Sequence, residues 1–172
     1  SGWQTALLAP TELLARQHAA TAQRLLAPLN VRADNDWGLD HGTWSVLAHV
    51  FPRADIPVVQ ISVQHAEGSP HHIELGRMLA PLREDGVLVM GSGSLTHNLW
   101  ELSRRRGEVD AKALDWVVDF TEWVAEKVEA GDTDAIANYR MEAPHAKENH
   151  PRDEHFLPLP FAMGAGGANA KG

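Results

Sequence analysis

The sequence predicts an α/β domain with a central, mostly parallel sheet flanked by helices on both faces. Two apolar runs, Ile56 to Val63 and Gly86 to Met90, bracket a helical segment that opens at Ser69-Pro70. Strand, helix and strand at these lengths make a βαβ unit, and hence a parallel pair. A long amphipathic stretch, Ala111 to Ala130, supplies a further helix to cover the sheet. A length of 172 residues fits one domain. Its boundaries are drawn at 1–163, with a flexible glycine- and alanine-rich tail over 164–172.

Each element has a local reason. Thr11 is the expected N-cap of a first helix that stops near Pro28. Leu29 to Ala33 reads as a short strand, and Asp34-Asn35-Asp36 as a turn. A helix follows over Thr43 to Val50, capped near Asp40 or Thr43 and stopped by Phe51-Pro52. Ile56 to Val63 is rich in β-branched residues, and Pro57 suits the start of that strand better than its middle. Ile73, Leu75, Met78, Leu79 and Leu82 give the next helix an apolar face. In the 111–130 helix, Leu114, Val117, Val118, Thr121, Val124, Ala125 and Val128 recur at helical spacing and read as core. Gly131-Asp132 ends that helix, a short helix covers Asp134 to Tyr139, and Ala143 to Glu154 reads as a polar loop.

Composition narrows the function. The formal charge is −8 and the pI about 5.6, which argues against a nucleic-acid-binding face. The basic run Arg104-Arg105-Arg106 is too short to make a phosphate groove. No cysteine is present, so disulfides, zinc–thiolate sites and cysteine nucleophiles are excluded. Any metal must rest on His, Asp or Glu. Ten histidines favour a hard or borderline ion such as Fe(II) or Zn(II). No apolar run approaches the roughly 20 residues that a bilayer requires, so no membrane partner and a cytoplasmic location are the expectation.

His97 stands out. It follows the strand Val87-Leu88-Val89-Met90 through the small-residue stretch Gly91-Ser92-Gly93-Ser94. Open α/β sheets bind ligands outside the carboxyl ends of their strands. Imidazole titrates near neutral pH and serves as base, acid or metal ligand. The glycine stretch is not a dinucleotide fingerprint, because Thr96 replaces the third glycine, and no Walker lysine follows. Nor is it a Gly-x-Ser-x-Gly nucleophile elbow. Two other histidines lie in ordered-looking contexts: Asp40-His41-Gly42-Thr43-Trp44 and Glu154-His155-Phe156-Leu157-Pro158-Leu159.

Together these segments resemble the class III extradiol ring-cleavage dioxygenases, in the branch similar to 4,5-DOPA dioxygenase. The matching stretches are Trp37 to Val50, Ala54 to Val63, His72 to Leu99 and Glu154 to Leu159, in the family's order. The resemblance implies cleavage of a catechol-type aromatic ring by O2 at a non-haem Fe(II), with Zn(II) an alternative occupant and no organic cofactor. It implies that His155 is a metal ligand, with Glu154 as the fallback. It implies that His97 exchanges a proton with the substrate hydroxyl and, secondarily, contacts the metal. It implies that His41 donates a hydrogen bond to substrate or bound oxygen.

Alternatives stand beside these roles. His155 could cap a helix or pack under Phe156. Asp40 either fixes the His41 tautomer or is an ordinary N-cap. Asn98 either orients His97 or caps the next helix, and Trp44 is expected in the core. His71 and His72 are expected at a solvated or substrate-lining rim, His18 and His49 in structural positions, and His145 and His150 in a loop without an assigned role.

The family's longer N-terminal part carries two further metal histidines, in a Gly-His-Gly-Ser-Pro loop and a Ser-Ala-His-Trp segment. Neither motif occurs here, and the chain opens at Ser1-Gly2-Trp3. The expectation is therefore a domain incomplete at its N-terminus and a chain that is inactive, or nearly so, by itself. A non-catalytic remnant or binding module and a zinc-dependent hydrolase are the competing functions. An exposed apolar sheet edge would favour a homo-oligomer.

Overall fold

Three strands form one sheet in the computed structural model, which describes residues 4–8, 12–29, 32, 34, 36–105 and 111–167. They are β1 (Gln4–Leu8), β2 (Val58–Ser62) and β3 (Leu88–Gly91), in the spatial order β2-β1-β3. β1 pairs antiparallel with both neighbours, Leu8 lying opposite Val58 on one side and Leu88 on the other. This corrects the mostly parallel sheet. β2 and β3 do run in the same direction, but β1 is inserted between them. Nothing local marks β1: Gln4-Thr5-Ala6-Leu7-Leu8 has one β-branched residue and no polar–apolar alternation. A βαβ pattern sets the relative direction of its two strands and leaves open what lies between them.

The helices are α1 (Glu12–Leu25), α2 (His41–Val50), α3 (Gly68–Leu79), α4 (Leu99–Arg104), α5 (Asp115–Glu129), α6 (Thr133–Ala137), α7 (Tyr139–Glu142), α8 (Ala146–Asn149) and α9 (Pro158–Gly166). Short 3₁₀ turns follow α1 at Ala27–Leu29 and α3 at Ala80–Arg83. The Thr11 cap and Arg106 lie outside the described residues, as do residues 30, 31 and 33 of the expected Leu29 to Ala33 strand; Leu29 itself belongs to the 3₁₀ turn. In the turn before α2, the Asp34 carboxylate accepts the backbone N–H groups of Asp36 and Trp37. Pro70 sits in the first turn of α3, where its missing N–H costs nothing. Phe51 closes α2 by donating its N–H to Leu47, just ahead of Pro52.

Alternating side chains send the two faces of the sheet to different helices. Val59, Ile61 and Val89 pack with Ala22, Leu26, Leu75, Leu79 and Phe161, which places α1, α3 and α9 on one face. Val58 and Met90 pack with Leu47, Phe51 and Ile56, which places α2 on the other. A second core joins Phe120 and Val124 of α5 to Ile136, Tyr139, Ala146 and Phe156, with Leu159 and Met163 of α9 against it. α9 thus touches both cores.

The tail drawn at 164 starts too early. α9 runs to Gly166, Gly164 and Ala165 are buried, and residues 168–172 lie outside the described set. Arg83 holds this helix end by donating to the carbonyls of Ala165 and Gly166 at 3.0 and 2.9 Å. A cation on terminal carbonyls satisfies groups that the helix itself cannot. The small residues that suggested a tail are there for close approach. A Cβ on Gly164 would collide with the Ile73 carbonyl, and one on Gly76 with the Phe161 carbonyl and the Ala165 nitrogen. Gly164→Ala should therefore destabilise the chain by roughly 1–3 kcal/mol despite alanine's better helix propensity. Urea unfolding followed by circular dichroism measures it.

Candidate active site

The loop leaving β3 and the segment entering α9 lie backbone to backbone. Ser94 N–H donates to the His155 carbonyl at 2.9 Å, and His97 N–H donates to the Asn149 carbonyl at 2.8 Å. Asn98 donates from Nδ2 to the Glu148 carbonyl at 2.7 Å, while its Oδ1 accepts Glu101 N–H and caps α4. The capping role of Asn98 is thus observed. The contact requires glycine. A Cβ on Gly93 would strike the His155 carbonyl, and one on Gly91 the Pro158 carbonyl.

This docking brings His97 and His155 together. Their rings stack with centroids 3.2 Å apart and planes 14° apart. His155 is buried and His97 half-buried. Burial, then the neighbouring His97, pushes the His155 imidazole down to about 4, against a smaller opposing pull from Glu154. Burial also lowers His97, partly offset by Glu154. Both rings are therefore held neutral near pH 7, the form that binds metal or accepts a proton. Glu154 is itself engaged by Arg152, Oε1 to Nη2 at 2.8 Å.

His41 begins α2 and is exposed. The start of α2 is tied to the same loop, because Ser92 Oγ donates to the Gly42 carbonyl at 2.9 Å. All three expected histidines thus belong to segments joined at the exit of β3, and two of them are in ring contact. Asp40 occupies the N-cap position of α2, and its carboxylate accepts Trp37 Nε1–H at 3.3 Å. A groove of about 380 Å³ runs along α2 between Leu39, Trp44, Phe51, Ile56 and Val58, and none of the three histidines lines it. Trp44, expected in the core, is exposed on this groove; α2 turns Leu47 inward instead.

Two other histidines depart from expectation. His72 is buried, not at a rim. Its Nδ1–H faces the Gly68 carbonyl at 2.6 Å and its Nε2 accepts Gln64 N–H, so it ties the start of α3 to the end of β2. Desolvation lowers its pKa. His150, in a stretch that reads as a polar loop, is fully buried beside Phe120 and Phe156. That stretch has no period, so no apolar face announces its buried positions.

Among the described residues, no group of three His, Cys, Asp or Glu side chains is arranged to hold a metal ion. A facial non-haem iron site needs three. The lone pairs of a stacked imidazole pair lie in separate, nearly parallel planes and do not converge on one point. The described residues therefore do not by themselves make a complete iron centre.

An α/β fold with a histidine pair at a strand exit is the setting of an active site, and comparison supplies the class. The family described as the catalytic LigB subunit of aromatic ring-opening dioxygenase matches residues 11–172, and the chain belongs to that family. It is 43% identical over 143 residues to a 4,5-DOPA dioxygenase extradiol of Beta vulgaris, covering 83% of this chain and 52% of that protein. It is 37% identical to the 4,5-DOPA dioxygenase extradiol of Escherichia coli K12, covering 85% and 55%. A crystal structure of an uncharacterized Escherichia coli K12 protein superposes with a TM-score of 0.71 at 35% identity, over 86% of this chain and 60% of that one. The chain spans about half the length of the relatives it matches. Among the described residues, no helix is long and apolar enough to cross a membrane.

The buried neutral histidines set a pH dependence. His150 and His155 titrate near 4 in the fold, against about 6.5 in an unfolded chain. Between those values the unfolded state binds more protons, so stability is fully present above pH 6.5 and falls as the pH drops toward 4. Each of the two should cost on the order of 2 kcal/mol by about pH 4.5. Urea midpoints measured across this range check the sign and the window.

Proposed function

We propose that this chain carries the proton-transfer side, and one metal-ligand position, of an extradiol centre that opens catechol-type rings with O2. The observation that supports the reading is the stacked pair of neutral imidazoles from segments 58 positions apart, in a chain of the aromatic ring-opening dioxygenase family. His155 is the metal ligand, for Fe(II) or alternatively Zn(II). His97 is the general base and acid toward the substrate hydroxyls, with metal contact as its second role. His41 is the hydrogen-bond donor at the edge of the site. His155 would be one of the residues holding the metal, which would supply Lewis-acid and redox activation of the substrate and O2. The protein's own part is to keep His97 neutral, so that it accepts a catechol proton, and to aim it from a loop hydrogen-bonded to the carbonyls of Asn149 and His155.

Among the described residues no third donor joins the pair, which favours a second reading, a non-catalytic relative of the same fold. With an incomplete donor set, metal affinity is weak. A zinc-dependent hydrolase remains a third, distinguished by product formation without oxygen consumption.

Purified chain would be titrated anaerobically with Fe(II), then given O2 and DOPA or protocatechuate at an oxygen electrode. The expected outcome is weak Fe(II) binding that His155→Ala abolishes, with little or no yellow ring-opened product. Where turnover is measurable, His97→Phe should lower it by about 10²–10⁴-fold, the usual worth of a positioned acid–base group. Robust turnover by the chain alone would mean that another group completes the ligand set. Fe(II) binding indifferent to residue 155 would overturn the ligand role.

A further inference from the structure

His150 has the surroundings of a core residue and the bonding of a tether. Its ring is wholly buried, with centroids 5.5 Å from Phe120, 6.3 Å from Tyr139 and 5.3 Å from Phe156. Its Nε2 lies 3.1 Å from the Ser94 carbonyl. A carbonyl only accepts, so Nε2 carries the proton. Nδ1 is then a bare acceptor, buried and without a hydrogen-bond partner among the described residues. Packing alone calls for an apolar side chain here, which would leave no stranded nitrogen. The polar ring is explained by the one bond that it makes.

That bond lands at a decisive place. The Ser94 residue gives its N–H to the His155 carbonyl and receives His150 Nε2–H on its own carbonyl. Three residues on, His97 N–H is held by the carbonyl of Asn149, the neighbour of His150. The backbone of His150 is fixed in turn, because Arg140 Nη1 donates to its carbonyl at 2.9 Å. The loop from 94 to 97 is therefore gripped at both ends by residues 149 and 150.

We propose that His150 is a positioning residue, whose Nε2–H bond to the Ser94 carbonyl sets the loop that holds the His97 ring against His155. The inference rests on the reading of that pair as the reaction site, and its test needs neither metal nor substrate.

The full chain would be examined by imidazole nitrogen NMR and by the nuclear Overhauser contact between the His97 and His155 rings. Wild type should show His150 as the Nε2–H tautomer and a strong contact between the two rings. His150→Phe keeps a flat aromatic ring, somewhat larger, and removes the donor. It should remain folded by circular dichroism yet weaken the ring contact more than twofold. His150→Gln, which returns an N–H at a similar reach, should restore it. An Nδ1–H tautomer in wild type overturns the proposal, and does so even if the phenylalanine variant fails to fold. So does a phenylalanine variant with an undiminished ring contact, or a folded glutamine variant no better than the phenylalanine one. Fe(II) binding indifferent to residue 155 would count against the proposed function and leave this result standing.

Discussion

The exit loop of β3 lies in direct backbone contact with the segment entering α9, and the rest of the site depends on that contact. It has no room for a side chain at 91 or 93, where a Cβ would meet the carbonyls of Pro158 and His155. Glycine is required there for proximity; neither position is among the glycines of positive φ. With the two backbones touching, the N–H groups of Ser94 and His97 find carbonyl partners, and the rings of His97 and His155 stack.

The larger architecture serves the same contact. α9 must reach the end of β3 while packing on α3, and the glycine pair 76 and 164 lets the two helices approach at backbone distance. Arg83 fixes the far end of α9 from the turn that follows α3. Phe161 commits α9 to the core beneath the sheet, and Leu159 and Met163 commit it to the core around Phe120 and Tyr139. The segment carrying His155 is thus held from both sides. Tyr139, whose hydroxyl is pushed up to about 12 by burial, stacks on Phe156 with centroids 4.0 Å apart and steadies the residue next to His155.

Electrostatics at the site follow from this burial. Two imidazoles in ring contact cannot both be protonated without strong repulsion, and desolvation already disfavours the charge on each. Glu154 opposes the trend and Arg152 reinforces it, and the two side chains pair with each other. The result is a neutral pair at working pH, suited to accepting a proton or a metal. The described residues supply no third donor to complete a metal site.

Much of the local structure around the candidate site was legible in the sequence. Strand Val58–Ser62, helix Gly68–Leu79 and strand Leu88–Gly91 follow from β-branched runs, apolar periodicity and the Ser69-Pro70 start, which are local signals. A histidine set after a strand and a run of small residues marked His97, and family likeness marked His41 and His155. The sequence could not show β1 between the other strands, because the pairing partners of an unpatterned five-residue stretch are set by strands distant in the chain. Nor could it separate a glycine-rich tail from a glycine-rich helix, since the two differ only in what presses against them. His150 stayed hidden for the same reason: burial in an aperiodic segment is decided by residues distant in the chain, here Phe120 and Ser94. Local pattern and family likeness singled out the candidate residues, and long-range packing decided which of them meet.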